Sequence, residues 1–239
     1  MKIQSTAATL HKWLMAAVGI QLLIWSITGL YMVAMDIHYI HGDTLVKNNH
    51  TYVDTTSVKL DLSAILKRYP KAQKIRLSNL NHIPVYRFHS EDKHVIVDAR
   101  NGKVLSPISE QLAIELAVAE FTGSAEVISA QLITEQPPYE LSARHLPVWQ
   151  VAFADDIGSI LYVGVNNGEV VTKRHQYWRL FDWMFRFHIM DYQDSDIANN
   201  LLRVVAFITL LASLAGALLV YMRVVKPSLQ RRAMVGGAK

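Results

Sequence analysis

The chain has 239 residues, 51% hydrophobic and 18% charged, with no cysteine and a formal net charge of +4. That is room for one or two small domains and too apolar for intrinsic disorder. The lack of thiols excludes a disulfide scaffold, thiolate metal sites, iron–sulfur clusters and covalently attached c-type haem.

Charge is segregated along the chain. All 20 Asp and Glu lie between Asp36 and Asp196, whereas eight of the 24 Lys and Arg flank that block: Lys2, Lys12, Arg203, Arg223, Lys226, Arg231, Arg232 and Lys239. A basic start, an acidic middle and a basic tail mark a membrane protein and not a nucleic-acid groove.

After a short N-terminus, residues 1–12, the uncharged residues 13–35 form a helix of roughly 35 Å, enough to span a bilayer. The run is too long for a signal-peptide core, and no A-x-A site follows it. Residues 36–105 and 106–175 then contain a repeat. His82-Ile83-Pro84-Val85-Tyr86-Arg87-Phe88 matches His145-Leu146-Pro147-Val148-Trp149-Gln150-Val151, and Val97 to Val104 matches Val163 to Val170. Each copy reads as short strands with a tight Asn-Gly turn. Alternation in residues 85–88 and 159–163 predicts half-buried strands. A helix precedes each copy: residues 61–69, stopped by Pro70, and residues 109–121, with Ser109 as N-cap and Gly123 as closing residue. The fold class is therefore α+β, with two helix-plus-antiparallel-sheet lobes. Asn49-His50-Thr51 reads as a turn.

Residues 176–200 open with an aromatic run from Tyr177 to Phe187. It suits a membrane interface, with Arg179 and Arg186 toward headgroups, or the wall of a cofactor or quinone pocket. Asp191, Asp194 and Asp196 mark a solvated loop. Residues 201–222 form a second span, and residues 223–239 a basic tail. By the positive-inside rule both termini are cytoplasmic and residues 36–200 lie outside. Small residues four apart, Ala212 with Gly216 and Ser213 with Ala217, and more loosely Ala16, Gly19, Ser26 and Gly29, suit close helix pairing and a dimer.

These features resemble a known family. A helix followed by short strands ending in V-D-A-R-N-G-K-V resembles the PepSY domain. Leu10-His11-Lys12-Trp13-Leu14 is similar to the start of PepSY-associated transmembrane proteins, and Phe187-His188 looks like that family's L-H motif. The resemblance covers nearly the whole chain and implies a bacterial inner-membrane protein with a periplasmic domain. Larger members carry b-type haem in four or more helices; this chain has two.

Histidine is the commonest ligand of noncovalent haem. The candidates are His188 with His38 or His41 at the outer interface, and His11 at the inner one, supplied by two subunits. Asp36 or Asp191 would hold a ring in one tautomer. The plainer reading is that interfacial His bond headgroups or water. His82 and His145 occupy equivalent turn positions, and His50, His89 and His94 read as solvated. No hydrolase, Walker A or dinucleotide signature is present. Two functions follow: a haem b protein or subunit of a larger membrane redox complex, passing electrons toward a periplasmic acceptor such as ferric iron or a flavin carrier; or a non-enzymatic PepSY protein that binds or inhibits a partner, or assists assembly of a membrane complex.

Overall fold

A computed structural model describes residues 2–47, 52–91, 93–191 and 196–228. The turn at Asn49-His50-Thr51, Asp194 and the tail from Arg231 lie outside these residues. The chain divides into two compact units, Met1–Met35 with Phe181–Lys239, and Asp36–Leu180. Each is described by itself.

The first unit is built on two long helices. α1 runs over Lys2–Ala34, and α6, over Asp196–Val220, continues through a π-helical turn at Tyr221–Val225. Ala8–Ala34 and Asn200–Ser228 are long and apolar enough to cross a membrane. Only 11% and 6% of these windows is buried, unlike the core helix of a soluble protein. Three hydroxyls are satisfied within their own helix: Ser26 donates to the Leu22 carbonyl (2.8 Å), Thr209 to Val205 (2.8 Å) and Ser213 to Thr209 (2.9 Å). Such back-bonding removes the cost of a bare hydroxyl among apolar groups.

The second unit opens with α2, Ile37–Ile40, capped by Asp36. Two antiparallel sheets follow. One has the order β1-β2-β3 (Gln73–Leu80, Ile83–Ser90, Lys93–Asp98), the other β4-β5-β6-β7 (Val127–Ile133, Val148–Phe153, Ile160–Gly164, Val170–Arg174). A helix precedes each sheet: α3, Leu62–Arg68, capped by Asp61, and α4, Glu110–Glu120, capped by Ser109. α4 ends with Phe121 in an extended conformation, so Gly123 is not its cap. Glycine is needed there for room, because a Cβ would meet the Phe121 ring at 2.5 Å.

The repeat holds at the level of single bonds. Val85 pairs with Asp98 as Val148 pairs with Gly164, and Tyr86 with Val97 as Trp149 with Val163. In both Asn-Gly turns the glycine N–H reaches back four residues to a carbonyl at 2.8 Å, with φ of +78° at Gly102 and +59° at Gly168. Tyr86 donates its hydroxyl to the Leu60 carbonyl (2.9 Å), and Trp149 its indole N–H to the Ile108 carbonyl (3.1 Å). Each of these aromatics thus fastens the residue leading into its own helix to a central strand.

These strands are not half-buried, as alternation suggested. Val85, Tyr86 and Phe88 of β2 are all buried, as are Leu161, Tyr162 and Val163 of β6. Each sheet has apolar cover on both faces. Leu80, Val85 and Ile96 share one core with Leu116, Phe121, Val151, Leu161 and Val163. On the far faces, Tyr86, Phe88 and Val97 pack with Ile65 of α3, and Val148 and Tyr162 with Leu141. Gly168 sits in the shared core, where a Cβ would meet Leu80 at 3.0 Å. Gly158 (φ +61°) has nothing within 4 Å. Replacing either by Ala should cost about 1–2 kcal/mol for the left-handed backbone. Gly168→Ala should cost more, by the displacement of Leu80. Urea unfolding of both variants measures the difference, and equal losses would remove the steric argument.

Candidate functional site

His11 and His188 are the two histidines of the first unit, and both have their Nδ1 engaged. His11 Nδ1 lies 3.1 Å from the carbonyl of Ala212. A carbonyl only accepts, so Nδ1 carries the proton. His188 Nδ1 lies 3.0 Å from Thr28 Oγ1. The Thr28 hydroxyl proton is committed to the Ile24 carbonyl at 2.8 Å, so its oxygen must accept from His188. In the neutral ring, both arrangements leave the lone pair on Nε2. That is the form in which imidazole binds a metal, with the other nitrogen fixed by a neighbour.

Glycines seat both rings. A Cβ at Gly216 would meet His11 Cε1 at 2.9 Å, and one at Gly29 would meet His188 Cε1 at 3.2 Å. Gly216 with Ala212, and Gly29, are therefore used inside the chain. Ser213, Ala217, Ala16 and Ser26 lie on exposed faces. The residues His11, Leu14, Val18, Gln21, Trp25 and Thr28 follow a three-four spacing along α1, the period of a packed helix seam. Gln21 Nε2 and Trp25 Nε1 are buried with no hydrogen-bond partner.

The other candidates stand elsewhere. His38 and His41 belong to the Asp36–Leu180 unit. His38 Nδ1 faces Asp43 Oδ2 at 3.1 Å, and its side chain is 77% exposed. Asp36 is occupied in accepting the Tyr39 N–H. Asp191 donates its backbone N–H to Arg186 at the end of α5, which runs over Gln176–Ile189. His82 occupies the β1–β2 turn with φ +64°, and His145 a 3-10 turn before β5. His89 and His94 oppose each other across β2 and β3, ring centroids 4.0 Å apart. Among the described residues no group of three or more His, Asp or Glu is arranged to hold a metal ion.

The aromatic run is the helix α5, with Trp183 and Phe185 exposed. Its two arginines are engaged by carboxylates. Arg186 pairs with Asp182 at 2.8 Å. Arg179 forks onto Glu140 at 2.6 and 3.0 Å, and Glu140 also accepts the Tyr162 hydroxyl at 2.8 Å. Glu140 is 6% exposed, and its charge is tolerable there only because this fork satisfies it. Burial, with the Glu140 carboxylate beside it, holds the Tyr162 hydroxyl well above the usual phenol range. No motif marks this cluster, whose members lie far apart along the chain.

His175 was likewise without a sequence signal. It is fully buried between Tyr39 and Tyr177, donating Nε2–H to the Tyr39 carbonyl at 2.9 Å. Its Nδ1 has no partner.

Comparison with protein-family models, curated proteins and solved structures gives no match.

Burial pushes the His175 imidazole below the ordinary value of 6.5. The unfolded chain then binds the extra proton, so this contribution to stability is complete above pH 6.5 and is lost as pH falls toward the native value. His175→Gln keeps a donor for Tyr39 and should flatten that part of the stability profile. Denaturation between pH 7.5 and about 5 compares the two proteins, and parallel profiles would show that His175 does not titrate on unfolding.

Proposed function

We propose that this chain is a PepSY-type membrane protein that binds haem b through His188 and His11 and passes electrons across the bilayer. The observation that carries the reading is the shared tautomer: both rings are pinned through Nδ1 and seated on glycine, leaving Nε2 as the free lone pair. Interfacial histidines that merely meet water have no need of either restraint. The resemblance of Leu10-His11-Lys12-Trp13-Leu14 and Phe187-His188 to PepSY-associated transmembrane proteins favours the same two residues.

Haem held by imidazole supplies a one-electron carrier. The Ala212 carbonyl and the Thr28 hydroxyl would fix the orientation of the rings and raise their basicity as ligands. His11 and Thr28 are seventeen residues apart on α1, roughly 25 Å along the axis. The two histidines would therefore hold separate haems, and a second copy of the chain would supply a second imidazole for each. His38 is the weaker partner, being mostly exposed and engaged with Asp43. Lys2 and Lys12 at the start of the first span, and Arg223 and Lys226 at the end of the second, favour cytoplasmic termini by the positive-inside rule. The Asp36–Leu180 unit then faces the periplasm, where a ferric or flavin-class acceptor would take the electron.

The visible spectrum tests this. The purified full-length protein, made with ample haem, should show a low-spin Soret band. His188→Ala should shift it to high spin or reduce it, whereas His82→Ala should leave it unchanged. A well-folded wild type without a Soret band would overturn the proposal. Thr28→Val removes the Nδ1 acceptor and should weaken haem retention about 10–100-fold, as measured by transfer to apomyoglobin.

A further inference from the structure

The Asp36–Leu180 unit contains a cleft of about 1160 Å³ that the electron-transfer reading does not use. It is walled by β1, the β1–β2 turn, the C-terminal half of α4 and the start of β7. A volume of this size exceeds that of most drug-sized ligand pockets. Its ionisable lining is Lys47, Arg76, Arg87 and Lys173 against Glu120 and Glu169, with His82 at the rim.

Arg87 is the centre of the wall. Its side chain is 11% exposed, rising from β2 on the same sheet face as Val85. Nη1 donates to Glu169 Oε1 at 2.6 Å, and Arg76 Nη2 donates to the same oxygen at 3.1 Å. One exposed carboxylate thus serves two guanidinium groups, and Arg87 Nε is left buried and unpartnered. Ser78 Oγ and Asn79 Oδ1, on the adjoining wall, are also unpartnered. Lys47 donates to the Ala119 carbonyl at 3.2 Å, and Lys173 pairs with Asp43 at 3.0 Å. Burial pushes the Arg87 guanidinium down from its ordinary value, with the charge of Arg76 adding to the effect and Glu169 opposing it. Burial also pushes the Glu120 carboxyl up from its ordinary value, with the charge of Lys47 opposing the effect.

We propose that this cleft is a receptor site for ligands carrying two or more carboxylates, with Arg87 as the anchoring residue. Glu169 marks the chemistry, because a carboxylate already bridges the two arginines there. Glu169 is 45% exposed and free to yield to a ligand. A ligand carboxylate takes the Arg87 Nε and Nη edge in the two-bond geometry that guanidinium offers. Ser78 supplies a further donor. A second carboxylate reaches Lys47 and Lys173 on the opposite wall. The site is independent of the haem reading.

Isothermal titration of the full-length protein in nanodiscs tests the proposal, with tricarballylate as the free acid and tetraglutamate as the acidic peptide. Saturable binding of either supports it, and the tighter of the two names the source of the carboxylates. Arg87→Gln should weaken binding at least tenfold, and Arg87→Lys nearly as much, since lysine cannot fork. Lys47→Gln, at the surface, keeps the test decisive if the Arg87 variants fail to fold, and should weaken binding about three- to tenfold. His188→Ala should bind with wild-type affinity, which separates this result from any failure of the haem reading. No saturable heat with either ligand at about 10 mM would overturn the proposal. So would unchanged affinity in folded Arg87→Gln, or inorganic phosphate binding as tightly as tricarballylate.

Discussion

Everything in the Asp36–Leu180 unit depends on one apolar interior held in common by two sheets. Leu80, Val85 and Ile96 from the first copy close against Leu116, Val151, Leu161 and Val163 from the second. Each such side chain contributes roughly 1.5–3 kcal/mol when fully buried, and neither three- nor four-stranded sheet has enough of them alone. The second Asn-Gly turn makes the joint tight, since a Cβ at Gly168 would meet Leu80 at 3.0 Å and force it aside. The first turn faces its own helix instead, where Gly102 lies beside Leu60 and Arg68. Two units with the same internal bonds are thus joined asymmetrically. The cleft lies where the first sheet runs beyond this shared core and its inward positions turn from Leu80 and Val85 to Ser78 and Arg87.

The helix pair follows a different rule. Where helices pack without a strong hydrophobic drive between them, close approach and internal hydrogen bonds hold them together. His11 over Gly216 and His188 over Gly29 combine both, a polar ring lying where the opposite backbone has no side chain. Gln21 and Trp25, with buried donors that nothing accepts, make the same seam costly as it stands.

Much of the architecture was legible in the sequence because it is local. Asp61 and Ser109 announce their helices by capping chemistry, and Asn101-Gly102 and Asn167-Gly168 announce their turns by the backbone they permit. The H-x-P-V repeat carries into matched strand registers. Periodicity misled at Ser159 to Val163, because a strand covered on both faces need not alternate. His11 and His188 could be picked out by type and place, but their tautomers depend on Ala212 of α6 and Thr28 of α1. The pairs Arg179–Glu140, His175–Tyr39 and Arg87–Glu169, which define the fork, the buried histidine and the cleft, are 39, 136 and 82 positions apart. No single-sequence pattern marks such pairings.

The two copies differ most in the link between their first and second strands. The first needs only Asn81 and His82, whereas the second takes residues 134–147. Lengthening a connection between strands whose register is fixed elsewhere is thermodynamically mild, about 0.6 kcal/mol for each doubling. That makes the link a place where a duplicated unit can acquire a new task without disturbing its frame. Glu140 sits in the inserted stretch, and it is the residue that receives Arg179 from the first turn of α5. The Asn81-His82 turn of the first copy has no counterpart to this contact. The copies therefore differ in attachment, with one link kept as a plain turn and the other extended to grip the helix that follows its sheet.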